Sequence, residues 1–288
     1  MLCFIWSSSW LAIRYSLEGF PPFLGCALRF ALAAALLGAV AGWKGLSFRL
    51  SRRHRLVVAL NSLFTYLFAY GLVYWAEQHL TAGLTAVIFA VFPLFTALFS
   101  IWAFHLESFR AGVLIGLSLA MAGIVVIFGN DLQSARLEGP ALWGGAAVLL
   151  SAVSAASTVG MVKKYLSQMN PIILSFYGIL LGAVGLTLAG LLRGERLMAD
   201  PPSVAIAAVI YLGVVASALA FSVYYWLLKA FRPTTMSIII YVTPVLTLLM
   251  DWAVFGLVPS MSVLAGVALI LIGILIAELP RYRQARAR

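Results

Sequence analysis

The chain has 288 residues, of which 64% are hydrophobic and only 10% are charged, with a formal net charge of +10. Charged residues make up about a quarter of an ordinary globular domain, so this composition excludes a water-soluble fold. The sequence contains no nucleotide-binding loop, no cluster with metal-ligand spacing and no hydrolase nucleophile motif. The absence of these motifs argues against an ATP-driven pump, an enzyme with catalytic residues, a metal site and a cofactor.

Apolar stretches fill the chain almost end to end, and each is close to the roughly 20 residues that a membrane-spanning helix needs. The connections between them are short, so they leave no room for a soluble domain. Two cysteines, Cys3 and Cys26, fall within these stretches and are interpreted as small core residues. The ten predicted spans are residues 1–17, 22–42, 55–75, 81–104, 110–129, 139–162, 170–192, 203–229, 234–256 and 261–278.

Basic residues collect on one side of this predicted topology, which is typical of the cytoplasmic side of a membrane protein. The other side holds only Arg14, Arg136, Arg193 and Arg196. We therefore expect a multi-pass membrane protein with both termini in the cytoplasm. The bilayer explains the positive charge, and no nucleic-acid partner is needed. The basic side comprises Lys44, Arg49, Arg52, Arg53, Arg55, Arg110, Lys163, Lys164, Lys229, Arg232, Arg281, Arg283, Arg286 and Arg288.

The second half of the sequence repeats the first. Matching segments are Tyr74-Trp75 with Tyr225-Trp226, Pro93 with Pro244, and the glycine-bounded stretches 116–123 with 266–273. The connections before the third and eighth spans are predicted on opposite sides of the membrane. This is required if each repeat has an odd number of spans, because the second repeat is then inverted relative to the first. The sequence thus predicts an all-α membrane protein with ten transmembrane helices in two inverted five-helix repeats around a central cavity. The repeats are predicted at 1–130 and 139–280, followed by a basic tail at 281–288. Many secondary carriers have this architecture.

Prolines, aromatic residues and small hydroxyl residues are the candidates for a solute site. Proline inside a span leaves a backbone carbonyl without its hydrogen bond. Pro93 and Pro244 occupy equivalent positions in the two halves, so they are interpreted as hinges or as polar positions at the midplane rather than as static kinks. Aromatic walls with phenolic hydroxyls suit an amphipathic ligand, with packing or an interfacial belt as the alternative. Small hydroxyl side chains either line a water-filled path for the solute or form hydrogen bonds between neighbouring helices. The predicted substrate-binding set is Ser8, Tyr70, Tyr74, Phe89, Phe92, Pro93, Ser157, Tyr224, Tyr241 and Pro244.

Ionisable residues within a span usually mark function. Arg29 and Asp251 lie at similar depths toward the outer ends of their spans, so they are candidates for a structural ion pair or for a coupling role. No cluster of lysine and arginine lies at the midplane, which argues against a phosphate-bearing substrate and favours a neutral or zwitterionic solute. Four further residues border connections and are interpreted as solvated helix ends: Glu77, His79, His105 and Glu107.

Several stretches resemble the EamA repeat, which marks the drug/metabolite transporter superfamily. The first half carries Leu80-Thr81-Ala82-Gly83-Leu84-Thr85-Ala86-Val87-Ile88, Phe92-Pro93-Leu94-Phe95-Thr96-Ala97-Leu98, Glu107 and the stretch 116–123. Ala27-Leu28-Arg29-Phe30 and Ile5-Trp6-Ser7-Ser8-Ser9 resemble the second-span and first-span signatures of the family. The second half matches through Thr243-Pro244-Val245-Leu246 and 266–273. It departs from the family at Val258 and Pro259, where a glutamate is frequent.

The resemblance implies a cavity lined mainly by the first, third and fourth spans and by their partners, the sixth, eighth and ninth. It also implies a structural role for Arg29, because the family signature has an arginine there whatever the substrate. Members typically export amino acids, metabolites or drugs from bacteria, and aromatic amino-acid exporters belong to this group.

The predicted function is a secondary carrier that exports small amphipathic solutes, with amino acids, aromatic ones included, as the leading class, by alternating access. The alternatives are a drug or lipid efflux carrier of the same superfamily and a scaffold subunit without transport activity. Asp251 is the only acid placed clearly inside a span, which favours facilitated export over obligatory proton antiport. The oligomeric state is left open, and a monomer suffices for this arrangement.

Overall fold

The protein is all helical in the computed structural model, which describes residues 1–108, 111–127, 139–237, 240 and 243–286. No strand occurs in these ranges. A short helix, Pro233–Ser237, precedes the ninth of the longer helices. The longer helices are α1 (Leu2–Leu17), α2 (Pro22–Trp43), α3 (Arg52–Ala76), α4 (Ala82–Trp102), α5 (Ala111–Ile127), α6 (Pro140–Tyr165), α7 (Pro171–Leu192), α8 (Ser203–Ala230), α9 (Thr243–Phe255) and α10 (Met261–Arg286).

Six of these helices are long and apolar enough to cross a bilayer, namely α2, α3, α4, α6, α7 and α8. Shorter apolar helices cover Leu114–Ile127, Thr243–Phe255 and Met261–Ile276. The prediction of an all-helical membrane protein is therefore confirmed, whereas the count of ten spans stays a prediction.

Local sequence signals explain where the helices begin. Proline occupies the first helical position of α2, α6 and α7, where its missing N–H leaves no intrahelical bond unmade. Side chains cap three other backbone donors: Ser51 accepts from the N–H of His54, Thr81 from Leu84 and Asn170 from Ile172.

Two helices contain π-helical segments at equivalent places in the two halves of the chain. The segment in α3 covers Ser62–Ala69, and the segment in α8 covers Val214–Leu219. Wider turns of this kind are rare and leave backbone groups available for contacts outside the helix. The Ser62 hydroxyl donates to the Gly178 carbonyl of α7, and the Ala216 carbonyl accepts from Arg29 of α2.

Proline also explains why α4 is discontinuous. The helix stops at Phe89, makes a turn at Ala90–Val91 and restarts as Phe92–Trp102, with Pro93 at its second position. Pro93 has no N–H to continue the hydrogen-bond ladder of the first segment. In the second half, α9 likewise begins with Thr243 and Pro244.

Helices at matching positions of the two halves make the most extensive contacts, α2 with α7 and α5 with α10. The crossing of α5 and α10 depends on glycine. A Cβ atom at Gly123 would lie 2.6 Å from the Gly266 carbonyl oxygen, and one at Gly266 would lie 2.6 Å from the Gly123 oxygen. Gly273 makes the same kind of contact with Gly116. Because the pairs run 116 with 273 and 123 with 266, the helices are antiparallel and contact each other reciprocally.

Candidate binding cavity

A cavity with a volume of about 110 Å³ lies among α1, α3, α4, α6, α8, α9 and the segment before α9. The described residues around this space include no aspartate, glutamate, lysine, arginine or histidine. They are Trp6, Ser9, Trp10, Ile13, Asn61, Thr65, Ala69, Tyr70, Val73, Phe89, Phe92, Ser151, Ala155, Thr158, Val159, Val162, Phe221, Tyr224, Tyr225, Met236, Ile240 and Thr243.

One wall of the cavity is a stripe of side chains along α3. Asn61, Thr65, Ala69 and Val73 follow one another at a spacing of four residues. Residues three or four positions apart lie on one face of a helix. The wider turns of the π-helical segment allow residues exactly four positions apart to stay on that face. The stripe therefore presents two polar groups and then two apolar groups to the cavity.

Tyrosine, asparagine and threonine side chains form hydrogen bonds across the wall formed by α3, α6 and α8. The Asn61 amide donates to the Tyr225 hydroxyl at 3.1 Å, and that hydroxyl lies 3.0 Å from the hydroxyl of Tyr66. The hydroxyls of Thr65 and Thr158 lie 2.6 Å apart. These bonds satisfy buried polar groups and hold the rings of the wall in place.

Aromatic rings pack around the other side of the cavity. Trp6 packs on Tyr224 with ring centroids 5.4 Å apart, and Trp10 packs on Phe89 at the same distance. Phe89 in turn stacks on Phe92 at 5.5 Å, across the break in α4. Tilted and offset contacts at such distances are the favoured arrangements of aromatic pairs.

Four polar atoms of the lining residues are buried and have no hydrogen-bond partner in the described part of the chain. They are Nε1 of Trp6 and of Trp10, the hydroxyl of Tyr224 and the hydroxyl of Ser151. The indole N–H only donates, so both tryptophans require an acceptor. Buried polar groups are nearly always hydrogen bonded, so these four atoms are candidates for contacts with a ligand or water that enters the cavity.

Two helices begin at the cavity. Phe92 is the first residue of the second segment of α4, Thr243 is the first residue of α9, and both side chains line the space. The first N–H groups of a helix have no intrahelical partner and carry the positive end of the helix dipole. The cavity is therefore favourable for a group with negative charge, although no basic side chain lines it.

The structure brings some of the predicted substrate-binding residues to this cavity. Tyr70, Phe89, Phe92 and Tyr224 line it. Five others lie behind the lining residues or on another helix face: Ser8, Tyr74, Pro93, Ser157 and Pro244. Tyr241 lies outside the described residues.

The predicted hydroxyls are each one residue away from a lining residue. Ser8 lies 2.6 Å from the hydroxyl of Tyr211, and its neighbour Ser9 faces the cavity. Ser157 donates to the Ser154 carbonyl, and its neighbour Thr158 faces the cavity. Pro93 and Pro244 follow the lining residues Phe92 and Thr243 and start the two helices. Sequence reasoning did not single out Asn61, because one amide near the polar start of a span resembles a solvated end.

Arg29 and Asp251 have different hydrogen-bond partners. Arg29 is completely buried; its Nε donates to the Ser217 hydroxyl at 2.7 Å, and its Nη2 lies 3.4 Å from the Ala216 carbonyl. Asp251 is 2% exposed and accepts from the backbone N–H of Gly83 at 2.5 Å, which caps the start of α4. Neither contact joins the two residues to each other.

Glu77 corrects one interpretation of the sequence. It follows the last residue of α3, where a solvated helix end was expected, yet only 6% of it is exposed. Both of its carboxylate oxygens are buried without a hydrogen-bond partner among the described residues. Of the other predicted solvated ends, His79 and His105 are exposed, and the half-buried Glu107 accepts from the hydroxyl of Thr234.

Comparisons with known proteins cover nearly the whole chain. The model of the EamA-like transporter family matches residues 1–129 and 142–279. No group of three or more histidine, cysteine, aspartate or glutamate residues that could hold a metal ion occurs in the described ranges.

Relatives and one solved structure agree with this match. The chain is 29% identical to the "Uncharacterized inner membrane transporter YedA" of Escherichia coli (strain K12), covering 98% of this chain and 89% of that protein. It is 23% identical to the "Uncharacterized transporter YoaV" of Bacillus subtilis (strain 168), covering 94% and 91%. One crystal structure of a chain with 23% identity superposes with a TM-score of 0.71 over 97% of this chain and 95% of that chain, which shows a shared fold.

Proposed function

We propose that this chain, which belongs to the EamA-like transporter family and is a multi-pass membrane transporter, exports small amphipathic solutes that carry a carboxylate. Amino acids, aromatic ones included, are the class that we expect. The proposed location is the bacterial inner membrane with both termini in the cytoplasm, on the basis of the bias of lysine and arginine to one side.

The unpartnered indole N–H groups of Trp6 and Trp10 carry the argument for a carboxylate. A carboxylate accepts up to about four hydrogen bonds, so it has enough acceptor sites for both indoles and for the hydroxyl of Tyr224. The helix starts at Phe92 and Thr243 favour the same charge. A more highly charged anion is disfavoured, since no lysine or arginine among the described lining residues would neutralise it.

The remainder of the cavity suits an apolar body and a single cation. Phe89, Phe92 and Phe221 offer ring faces and edges, and the ring faces also attract an ammonium group without an acidic partner. An amino acid with a large side chain has all three parts: a carboxylate, an ammonium group and an apolar body.

Transport by alternating access is supported by the pairing of the two halves. In the proposed architecture of two inverted five-helix repeats, equivalent helices meet about a pseudo-twofold axis in the membrane plane. The reciprocal contacts of Gly123 and Gly266 fit such an axis, and so do the matching π-helical segments of α3 and α8. Rocking of one repeat against the other would expose the cavity to each side of the membrane in turn.

Counterflow of a labelled amino-acid panel in proteoliposomes tests the substrate assignment. We expect saturable counterflow that Trp10→Phe reduces several-fold at low solute concentration, because phenylalanine keeps the ring and removes the N–H donor. Trp226→Phe is the matched control, since Trp226 is 63% exposed and does not line the cavity. An equal loss of counterflow in both variants, or no loss in either, would show that the Trp10 indole does not bind the solute. Dye or lipid movement without any amino-acid flux would support the drug or lipid carrier instead.

A further inference from the structure

Lys163, in the last turn of α6, is bound to the end of a second lining helix. Its ammonium group donates to the carbonyls of Leu228 and Lys229 in the last turn of α8, at 2.7 Å each. The last carbonyls of a helix have no intrahelical partner and carry the negative end of the helix dipole. The cation therefore satisfies acceptors that α8 leaves open, and it joins the ends of α6 and α8.

The two residues after Lys163 contact two further lining helices. Lys164 donates to the Phe104 carbonyl, two residues beyond the end of α4, at 3.1 Å. The guanidinium carbon of Arg53, in the first turn of α3, lies 4.8 Å from the centroid of the Tyr165 ring. Consecutive side chains of a helix point about 100° apart, so three successive residues reach three different neighbours. We call Lys163, Lys164 and Tyr165 the α6 clasp.

The α6 clasp directly follows the lining of the cavity. Val162, immediately before Lys163, lines the cavity, and so does Tyr225, one turn before Leu228 on α8. A second space, which Val162, Tyr225 and Lys163 all line, has a volume of about 10 Å³. This is roughly the space that a single water molecule needs. At the clasp, the path out of the cavity is therefore too narrow for a solute.

The turn after α4 has an unusual backbone where it contacts α6. His105 has a φ of 53°, in the left-handed region that residues other than glycine seldom adopt. The ring of Phe104 packs on α6 at Gly160, where a Cβ atom would clash with it. A backbone conformation of this kind costs free energy and persists where its surroundings hold it. The contacts of Phe104 with Gly160 and Lys164 hold this turn, so we expect it to relax when α4 and α6 separate.

A fourth contact closes the same side of the molecule. The Glu107 carboxylate accepts from the Thr234 hydroxyl at 2.7 Å, which joins the connection after α4 to the short helix before α9. Together with the α6 clasp, this contact links the ends of α3, α4, α6 and α8 and the segment before α9. In the proposed orientation this side is cytoplasmic, because lysine and arginine collect there.

We propose that the α6 clasp is the cytoplasmic gate of the cavity: it holds α3, α4 and α8 against α6, and solute enters from the cytoplasm only after its contacts break. Opening exchanges the partners of the lysine ammonium groups and of the helix-end carbonyls for water, and no covalent bond changes. The contacts of Lys163 with Lys229 and of Lys164 with Phe104 are exposed, so their loss costs little free energy. The gate rests on the proposed transport function, whereas closure of this end by the clasp does not.

Side-specific thiol labelling tests the closure without any solute. In a background with Cys3→Ala and Cys26→Ala, Val159→Cys places a thiol on the cavity wall one turn before the clasp. Lys163→Met keeps the apolar stem and removes the ammonium group. We expect it to raise the rate of labelling by a membrane-impermeant reagent from the cytoplasmic side several-fold. Lys44→Met is the matched control, because it removes an exposed lysine on the same side, and it should leave the rate unchanged.

Two results of the labelling would overturn the gate. One is an unchanged rate in folded Lys163→Met, even if its melting temperature falls, since a loss of stability alone would indicate a structural helix cap. The other is an equal rise of the rate from both sides, which would indicate a general loosening of the protein. If Lys163→Met does not fold, Lys164→Met removes the contact with α4 and provides the same comparison.

Solute flux tests the role of the gate in transport separately. A carrier binds solute from one side only in the conformation open to that side, so its apparent affinity follows the population of that conformation. In amino-acid counterflow, Lys163→Met should raise the half-saturating concentration on the external side several-fold and lower it on the cytoplasmic side. Changes in the same direction on both sides would overturn the gate. If the wild type moves no amino acid, the proposed function fails, and the labelling still decides whether the clasp closes the cytoplasmic end.

Discussion

Arg29 is a buried charge held by two hydrogen bonds and an aromatic ring, while its Nη1 has no partner in the described part of the chain. It lies between α2 and the π-helical segment of α8, where Ser217 and Ala216 accept from it, and its guanidinium carbon is 4.9 Å from the centroid of the Tyr70 ring. Hydrogen bonds from a charged donor and the contact with an aromatic ring stabilise a cation that has lost its water. This environment supports the structural role that the family resemblance implies.

Arg29→Lys should destabilise the protein even though it retains the charge. Lysine has a single ammonium group instead of the planar fork, so it cannot reproduce the contacts with Ser217, Ala216 and the Tyr70 ring. We expect a loss of roughly 1–3 kcal/mol, measured as a lower melting temperature in detergent. The exposed Arg49→Lys is the control. Equal melting temperatures for the two variants would show that the fork geometry contributes nothing.

Glu77 should give the protein a pH-dependent stability. Because its pKa is raised in the folded state, the folded protein holds this proton more tightly than the unfolded chain does. Its contribution to stability is complete below the ordinary value of 4.5 and is lost as the pH rises through the folded pKa. The melting temperature should therefore fall with pH above that value more steeply in the wild type than in Glu77→Gln. Parallel curves would contradict a raised pKa.

For the helices, the sequence predicted where each one begins and ends better than it predicted the geometry inside the helix. The predicted spans 22–42 and 170–192 agree closely with α2 and α7, because proline and capping residues mark where helices begin. Proline likewise predicted an irregularity in α4, which the structure shows as a complete break before Pro93.

The π-helical segments were not predictable, since hydrophobic composition does not distinguish a π turn from an α turn. Tyr70 and Tyr74 of α3 were both predicted to bind the substrate, but only Tyr70 lines the cavity, while Tyr74 is completely buried. The burial of Glu77 was missed for a different reason: the charged residues that act on it, Arg14, Arg29 and Asp251, lie on α1, α2 and α9, far away in sequence.

The crossing of α5 and α10 should be intolerant of a single methyl group. Gly266→Ala places a Cβ against the Gly123 carbonyl and the Ile127 side chain, so the helices must separate and lose packing. We expect a clear fall in melting temperature. Gly42→Ala is the matched control, because a Cβ at Gly42 meets no atom within 4 Å. Similar melting temperatures would show that the crossing adapts at little cost.

For the whole molecule, the helices divide into those that line the cavity and those that pack outside it. The cavity takes side chains from α1, α3 and α4 of one half and from α6, α8 and α9 of the other, whereas α2 with α7 and α5 with α10 pack outside it. The family resemblance implied this set of lining helices. In the proposed account, the lining helices of one half rock against those of the other.

Side-specific thiol labelling tests that account most directly. In a background with Cys3→Ala and Cys26→Ala, a cysteine replaces Ala155 of the cavity wall, with Ala146→Cys on the exposed face of α6 as the control. A membrane-impermeant reagent should label Ala155→Cys from either side of oriented vesicles, and a transported amino acid should protect it. The control should not respond to the solute. Labelling of Ala155→Cys from one side only, with no effect of any solute, would contradict alternating access through this cavity.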